Sequence, residues 1–175
     1  MQITIPTALT LFRILLLPVM VVVFYAPFRG AYVAAAGIFV AAALTDWLDG
    51  WVARRWNMSS AFGAFLDPVA DKLMVAVTLF LLVQNNPTPL LAVTSAVIVG
   101  REISISALRE WMAEIGQRAT VGVAMIGKVK TTMQIIAIVV LLYQHDLEEL
   151  RLYRVGEGLL VIAAGLTIWS GLQYV

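Results

Sequence analysis

The 175-residue chain has no cysteine and few charged residues. The absence of cysteine excludes a disulfide framework, a thiol nucleophile and a cysteine-based zinc site. Charged residues make up 13% and hydrophobic residues 61% of the chain, whereas soluble domains carry roughly 25% charged residues. Twelve basic residues stand against eleven acidic ones, so the chain lacks the basic excess of a nucleic-acid binder. These shortages exclude a soluble enzyme, a disordered tail and a nucleic-acid-binding protein, and they indicate an integral membrane protein.

Six apolar stretches follow one another at regular intervals and predict six membrane-spanning helices in one domain, residues 1–175. Each stretch is long enough to cross ~30 Å of hydrocarbon at ~1.5 Å per residue. A membrane β-barrel would need alternating segments of about ten residues, and runs such as 14–23 do not alternate. The predicted spans are 7–27, 32–56, 61–84, 87–114, 121–144 and 153–174. We therefore expect an all-α polytopic membrane protein.

The basic residues near the span ends predict the orientation of these helices. With six spans, the N-terminus and the second-to-third and fourth-to-fifth connections share one side, which carries Arg54, Arg55 and Arg118. Positively charged connections stay in the cytoplasm. Both termini are therefore expected on the cytoplasmic side.

Four aspartates form two pairs in the second and third spans. Asp46 and Asp49 are three residues apart, and Asp67 and Asp71 are four apart, so each pair shares one helix face. A short connection makes the two helices antiparallel neighbours, and the pairs converge. Four close anions in a low dielectric repel one another unless they are protonated or neutralised. Carboxylates without histidine or cysteine suit Mg²⁺ or Mn²⁺, and two such ions suit phosphoryl transfer.

The aspartates are also compatible with other interpretations. Asp67 followed by Pro68 is also typical of a helix start, but that leaves Asp46 and Asp49 near a helix C-terminus, where acids are disfavoured. A small cation transporter would show an internal repeat, and no second aspartate pair of this kind follows in residues 87–174. A scaffold subunit packed through small residues leaves the aspartates unexplained.

Small residues lie four positions from three of the aspartates, on nearly the same helix faces. They predict a groove where a ligand lies against the backbone, and Arg54 at its rim suits a diphosphate. These small residues are Gly50, Ala53 and Gly63.

This arrangement resembles the complete signature of the CDP-alcohol phosphotransferase family. The eight matching positions are Asp46, Asp49, Gly50, Ala53, Arg54, Gly63, Asp67 and Asp71. The resemblance implies a six-helix, usually dimeric membrane enzyme with a cytoplasm-facing site. It implies that two divalent cations are bound by Asp46, Asp49, Asp67 and Asp71, with Asp71 also the general base. It further implies that the CDP group is bound by Asp49, Gly50, Ala53, Arg54 and Gly63.

The fourth and fifth spans carry further charges that bear on the acceptor. Arg101, Lys128 and Lys130 have no obvious acidic partner in the sequence. Glu102 and Arg109 are seven residues apart and share a helix face, so a structural ion pair is one interpretation of them. Unpaired bases near a metal site suit an anionic acceptor, most simply a phosphate. The candidates for holding that phosphate are Arg101, Arg109 and Lys128.

Three further segments, residues 5–13, 101–111 and 127–131, resemble the members of that family that join sn-glycerol 3-phosphate to CDP-diacylglycerol and release CMP. The chain differs from many of them at Thr7, where they have asparagine. The resemblance implies a homodimer in the inner membrane of a bacterium, surrounded by membrane lipids. A family member with another acceptor, such as serine or inositol phosphate, is the alternative.

Overall fold

The computed structural model describes residues 5–56, 61–114, 124–147 and 150–172, which form six α-helices and no strand. Each predicted span corresponds to one helix, with ends that agree within three residues. The side chains of Asp49, Ala53, Arg54, Arg109 and Lys128 lie outside this description. The helices are α1 (Ile5–Phe24), α2 (Ala31–Trp56), α3 (Ala61–Asn85), α4 (Pro89–Glu114), α5 (Ala124–Leu147) and α6 (Leu150–Leu172).

Four of these helices are long and apolar enough to cross a membrane. The qualifying stretches are Thr7–Phe24, Ala31–Val52, Pro89–Met112 and Arg151–Ser170. In the described part of α3 no stretch qualifies, and α5 has a shorter apolar stretch, Val129–Tyr143. The chain thus has the helical composition of a multi-pass membrane protein.

Proline and glycine set the turn between α1 and α2. Pro27 follows the end of α1 by three residues, and proline disfavours helical geometry in the residue before it. Gly30 has a φ of +87°, a conformation that side chains with a Cβ rarely adopt. The turn is closed by Phe24, whose ring packs edge-on against Tyr32 with centroids 5.0 Å apart.

Thr88 starts α4 and also ties it to α6. The Leu91 N–H donates to Thr88 Oγ1 at 3.2 Å, and Pro89 occupies the first helical position, an N-cap followed by a residue with no N–H to satisfy. The Thr88 hydroxyl donates to Glu157 Oε1 at 3.0 Å. The same hydroxyl therefore caps the N-terminus of α4 and holds α6 beside it.

The helices form a ring in the order α1, α2, α5, α6, α4, α3, and α3 also contacts α2 and α5 across the interior. One end of the bundle contains contacts such as Thr10–Asp67 and Arg101–Ser170, and we call it the aspartate end. The helix termini at this end are Ile5, Trp56, Ala61, Glu114, Ala124 and Leu172. Contacts such as Tyr25–Gln84 and Thr88–Glu157 define the opposite end.

Apolar side chains fill the ring and also cover its outside. Leu79, Ile98, Ile138 and Leu160 are completely buried in the shared core. Large apolar side chains such as Trp169 point outward instead, which suits a lipid surrounding better than water.

Gly156 of α6 lies close to side chains of α5. A Cβ placed there would lie 2.8 Å from Leu141 Cγ and 3.2 Å from Val140 Cγ1. Leu141 is itself buried in the core, so it has little room to move away. The absence of a side chain at Gly156 therefore lets the two helices pack closely.

We predict that Gly156→Val destabilises the bundle by about 1–3 kcal/mol, because the new side chain overpacks this contact. Thermal unfolding of the purified protein in detergent should show a midpoint several degrees lower. Gly158→Val is the matched control, since a Cβ at Gly158 meets no atom within 4 Å. Equal midpoints for the two variants would contradict this account of Gly156.

Candidate active site

Arg13 joins two of the four predicted aspartates. Its Nη1 atom donates to Asp46 Oδ1 of α2 at 3.0 Å and also contacts Asp71 Oδ1 of α3. The Arg13 side chain is 1% exposed, whereas those of Asp46 and Asp71 are 45% and 44% exposed. The two carboxylates therefore converge on one buried positive charge while remaining accessible.

A third aspartate is held by the same face of α1. The Thr10 hydroxyl donates to Asp67 Oδ1. Thr10 and Arg13 are three residues apart on α1, a spacing that places both on one side of a helix. Helix α1 thus supplies a hydrogen bond and a charge to the aspartates of its two neighbours.

The position of Asp67 excludes the helix-start interpretation. Helix α3 begins at Ala61, and Pro68 lies inside it. Asp67 is therefore in the second turn of the helix and does not cap its N-terminus. Its position leaves the carboxylate available for the site.

A cavity of about 90 Å³ lies next to Arg13, between α1, α2, α3 and α5. Asp46, Asp71 and Gln134 each lie ten residues from the helix terminus at the aspartate end, which corresponds to a depth of ~15 Å at ~1.5 Å per residue. The other side chains in its wall are mainly apolar. The lining residues are Arg13, Phe39, Ala42, Ala43, Asp46, Asp71, Met74, Val75, Thr131, Gln134 and Ile135.

The buried cation Lys130 of α5 has an acidic partner that the sequence did not reveal. Lys130 Nζ lies 3.0 Å from Glu102 Oε1, and Lys130 is 7% exposed. The expectation that Lys130 lacks an acidic partner is therefore wrong, because the folded bundle brings the Glu102 side chain of α4 to it. The expected pairing of Glu102 with Arg109 involves a side chain outside the described residues.

Two further contacts tie α4 to its other neighbours at this end. Arg101 Nη2 donates to Ser170 Oγ of α6 at 2.7 Å, and Lys72 of α3 donates to Ser106. Arg101 is half-buried and is not part of the cavity wall. Helix α4 is thus fixed beside the aspartates by polar contacts.

The remaining predicted residues occupy the expected helices. Gly50 is half-buried in α2 and Gly63 is buried in α3. The side chains predicted to bind metal, CDP or the acceptor phosphate at five further positions lie outside the described residues. These positions are Asp49, Ala53, Arg54, Arg109 and Lys128.

The aspartates fit the metal ions that their pattern predicts. Asp46, Asp67 and Asp71 offer only oxygen ligands, which Mg²⁺ and Mn²⁺ prefer. Two of these carboxylates already converge on a cationic group, Arg13. Among the side chains that the structure describes, no three acidic or histidine groups are close enough to hold one ion together.

Sequence reasoning did not assign Arg13, Thr10 or Gln134 to the site. A signal for Arg13 was present, since a charge inside an apolar span is costly and marks a functional position. Thr10 and Gln134 are uncharged, and their residue types alone do not distinguish them from packing residues. Only the arrangement of α1 and α5 around the aspartates identifies them.

Comparison with known proteins agrees with the signature. A sequence model of the CDP-alcohol phosphatidyltransferase family matches residues 3–169. Curated relatives from Salmonella choleraesuis, Shigella flexneri and Sodalis glossinidius are each 52% identical over 174 residues. The alignments cover 99% of this chain and 94% of each relative. All three relatives are named CDP-diacylglycerol–glycerol-3-phosphate 3-phosphatidyltransferase.

We predict that Arg13→Met lowers stability most strongly in the absence of divalent metal, because Asp46 and Asp71 then face each other without a counter-charge. The free energy of unfolding should fall by about 1–3 kcal/mol. This lies between the values for exposed and buried salt bridges, since the carboxylates are half-exposed. Thermal unfolding should be measured in detergent with chelator and again with Mn²⁺.

Added Mn²⁺ should raise the unfolding midpoint of Arg13→Met more than that of the unmodified protein. Arg101→Met is the matched control, since the hydrogen bond from Arg101 goes to the neutral Ser170. Its loss of stability should be the same with and without metal. An equal metal-induced shift in all three proteins would contradict the role of Arg13 as a counter-charge.

Proposed function

Because the chain belongs to the CDP-alcohol phosphatidyltransferase family, we propose that it transfers the phosphatidyl group of CDP-diacylglycerol to the 1-hydroxyl of sn-glycerol 3-phosphate. The products are phosphatidylglycerophosphate and CMP, which makes the chain an enzyme of phospholipid biosynthesis. The observation that carries this proposal is the 52% identity over nearly the full length of relatives named for that reaction.

Asp71 is the proposed general base. The 1-hydroxyl of the acceptor gives its proton to a carboxylate oxygen of Asp71, and the hydroxyl oxygen attacks the phosphorus that carries diacylglycerol. The new P–O bond forms as the bond from that phosphorus to the CMP oxygen breaks, and CMP leaves with the electron pair. The contact with Arg13 supports this role, since it fixes the carboxylate beside the cavity.

The four aspartates are the proposed metal ligands. Two divalent cations, Mg²⁺ or Mn²⁺, held by Asp46, Asp49, Asp67 and Asp71 would supply positive charge to the donor diphosphate and the leaving CMP. Oxygen-only ligands and the convergence of Asp46 and Asp71 support this assignment. Thr10 holds Asp67 in place through its hydroxyl.

Substrate binding is assigned to two groups of residues on different helices. The CDP group is bound by α2 and the first turns of α3, through Asp49, Gly50, Ala53, Arg54 and Gly63. The acceptor phosphate is held by Arg101, Arg109 and Lys128 of α4 and α5. In support, α4 and α5 contribute these residues near the aspartate end, where Glu102 and Lys130 join the two helices.

All six helices are proposed to span the inner membrane of a bacterium, with both termini and the aspartate end facing the cytoplasm. The charge distribution around the predicted connections supports this orientation. It brings a water-soluble acceptor to a lipid donor that stays in the surrounding bilayer. A homodimer is the proposed assembly, on the basis of the family resemblance.

The proposed reaction predicts metal-dependent release of CMP from CDP-diacylglycerol when sn-glycerol 3-phosphate is the acceptor. The purified protein should be assayed in mixed micelles with Mg²⁺ or Mn²⁺ and with three acceptors: sn-glycerol 3-phosphate, serine and inositol phosphate. Chelator should stop the release. Turnover with serine or inositol phosphate but not with sn-glycerol 3-phosphate would show that the acceptor assignment is wrong.

Asp71→Asn should lower kcat by about 10²–10⁴-fold, the range that a general base contributes, because an amide cannot accept the hydroxyl proton. CMP release under saturating substrates measures this effect. Glu157→Gln is the matched control: it makes the same change in a helix of the bundle, and Glu157 lies at the opposite end beside Thr88. The control should retain activity, and full activity of Asp71→Asn would remove Asp71 as the base.

A further inference from the structure

Gln134 is a buried polar side chain in the wall of the cavity beside Asp46 and Asp71. It is 3% exposed, and its Oε1 atom has no hydrogen-bond partner among the described residues. A buried polar atom without a partner costs about 1–3 kcal/mol. Such an atom in a folded protein therefore calls for an explanation.

The surroundings of Gln134 point to a ligand that is small and carries a hydroxyl. Phe39, Met74 and Ile135 supply apolar wall, while Arg13 and the two carboxylates lie on the polar side. The volume of about 90 Å³ is several times the ~10–15 Å³ that one water molecule needs. This space suits part of a short polyol.

The acceptor of the proposed reaction has this chemistry. sn-Glycerol 3-phosphate carries two free hydroxyls on adjacent carbons. One of them must reach Asp71 to lose its proton, so the other lies one carbon away. Asp71 and Gln134 both line the cavity, at the same depth from the ends of their helices.

We propose that Gln134 is a specificity-determining residue that accepts a hydrogen bond from the non-reacting 2-hydroxyl of the acceptor at its Oε1 atom. The inference rests on the proposed function and adds to it the part of the acceptor that Gln134 recognises. It explains why an apolar wall contains an amide: the hydrogen bond is completed only when the acceptor is bound. An acceptor that lacks the 2-hydroxyl leaves the oxygen unpaired and is disfavoured.

The test compares sn-glycerol 3-phosphate with 3-hydroxypropyl phosphate, which lacks only the 2-hydroxyl. The unmodified protein should favour sn-glycerol 3-phosphate by about tenfold to a hundredfold in kcat/KM. In Gln134→Met, which keeps the side-chain length, this preference should fall to within about twofold. The preference should fall because kcat/KM decreases for sn-glycerol 3-phosphate and stays the same for 3-hydroxypropyl phosphate. The KM for CDP-diacylglycerol should stay the same.

Thr167→Val is the matched control. Thr167 also has a buried oxygen without a hydrogen-bond partner among the described residues, and it lies outside the cavity wall. This variant should keep the full preference for sn-glycerol 3-phosphate. Thermal unfolding of both variants checks that the fold is retained.

Three outcomes would overturn the inference. The first is equal use of both acceptors by the unmodified protein, a result that needs no variant. The second is a Gln134→Met enzyme that keeps the full preference, and the third is one that loses the same factor with both acceptors. Absence of CMP release by the unmodified protein with either acceptor would instead overturn the proposed function, and this inference with it.

Discussion

The contact of one buried guanidinium with two carboxylates governs the architecture of the aspartate end. Asp46 and Asp71 come from different helices and would repel each other in a low-dielectric bundle. Arg13, which is 1% exposed, offsets that repulsion from a third helix. Helices α1, α2 and α3 must therefore keep one relative position for Arg13 to contact both carboxylates. The accessible carboxylates then remain available for a metal cation, and without one Arg13 offsets one of their two negative charges.

The rest of the bundle holds this arrangement in place from the outside. Helix α4 carries no member of the aspartate group, yet it contacts α5 through the Glu102–Lys130 pair and α6 through Arg101–Ser170. Helix α5 in turn packs closely on α6 at Gly156. Because α5 also carries Gln134, this close packing helps to hold the cavity wall in position.

Local patterns were enough to predict the helices, the aspartate pairs and the family, and the family assignment is confirmed. A spacing of three or four residues within a helix is visible in the sequence, as for Asp67 and Asp71. The contacts of Arg13 span 33 and 58 residues of sequence, and no local pattern encodes them. The Lys130–Glu102 pair was missed for the same reason, since it depends on which helix packs beside which. The role of any one neutral side chain, such as Gln134, depends entirely on the cavity that the assembled helices leave.

The division between charged and neutral groups within the site has a physical basis. Charged groups attract or repel ions over several ångströms, so their positions need not be exact. A hydrogen bond from a hydroxyl depends on a distance near 2.7–2.8 Å. Selection of one hydroxyl therefore needs a rigid, buried donor or acceptor. The buried side chain of Gln134 on α5 provides that rigidity, while the half-exposed aspartates provide the adaptable part. In the proposed site, ion binding and selection of the acceptor hydroxyl therefore belong to different side chains at a similar depth of the bundle.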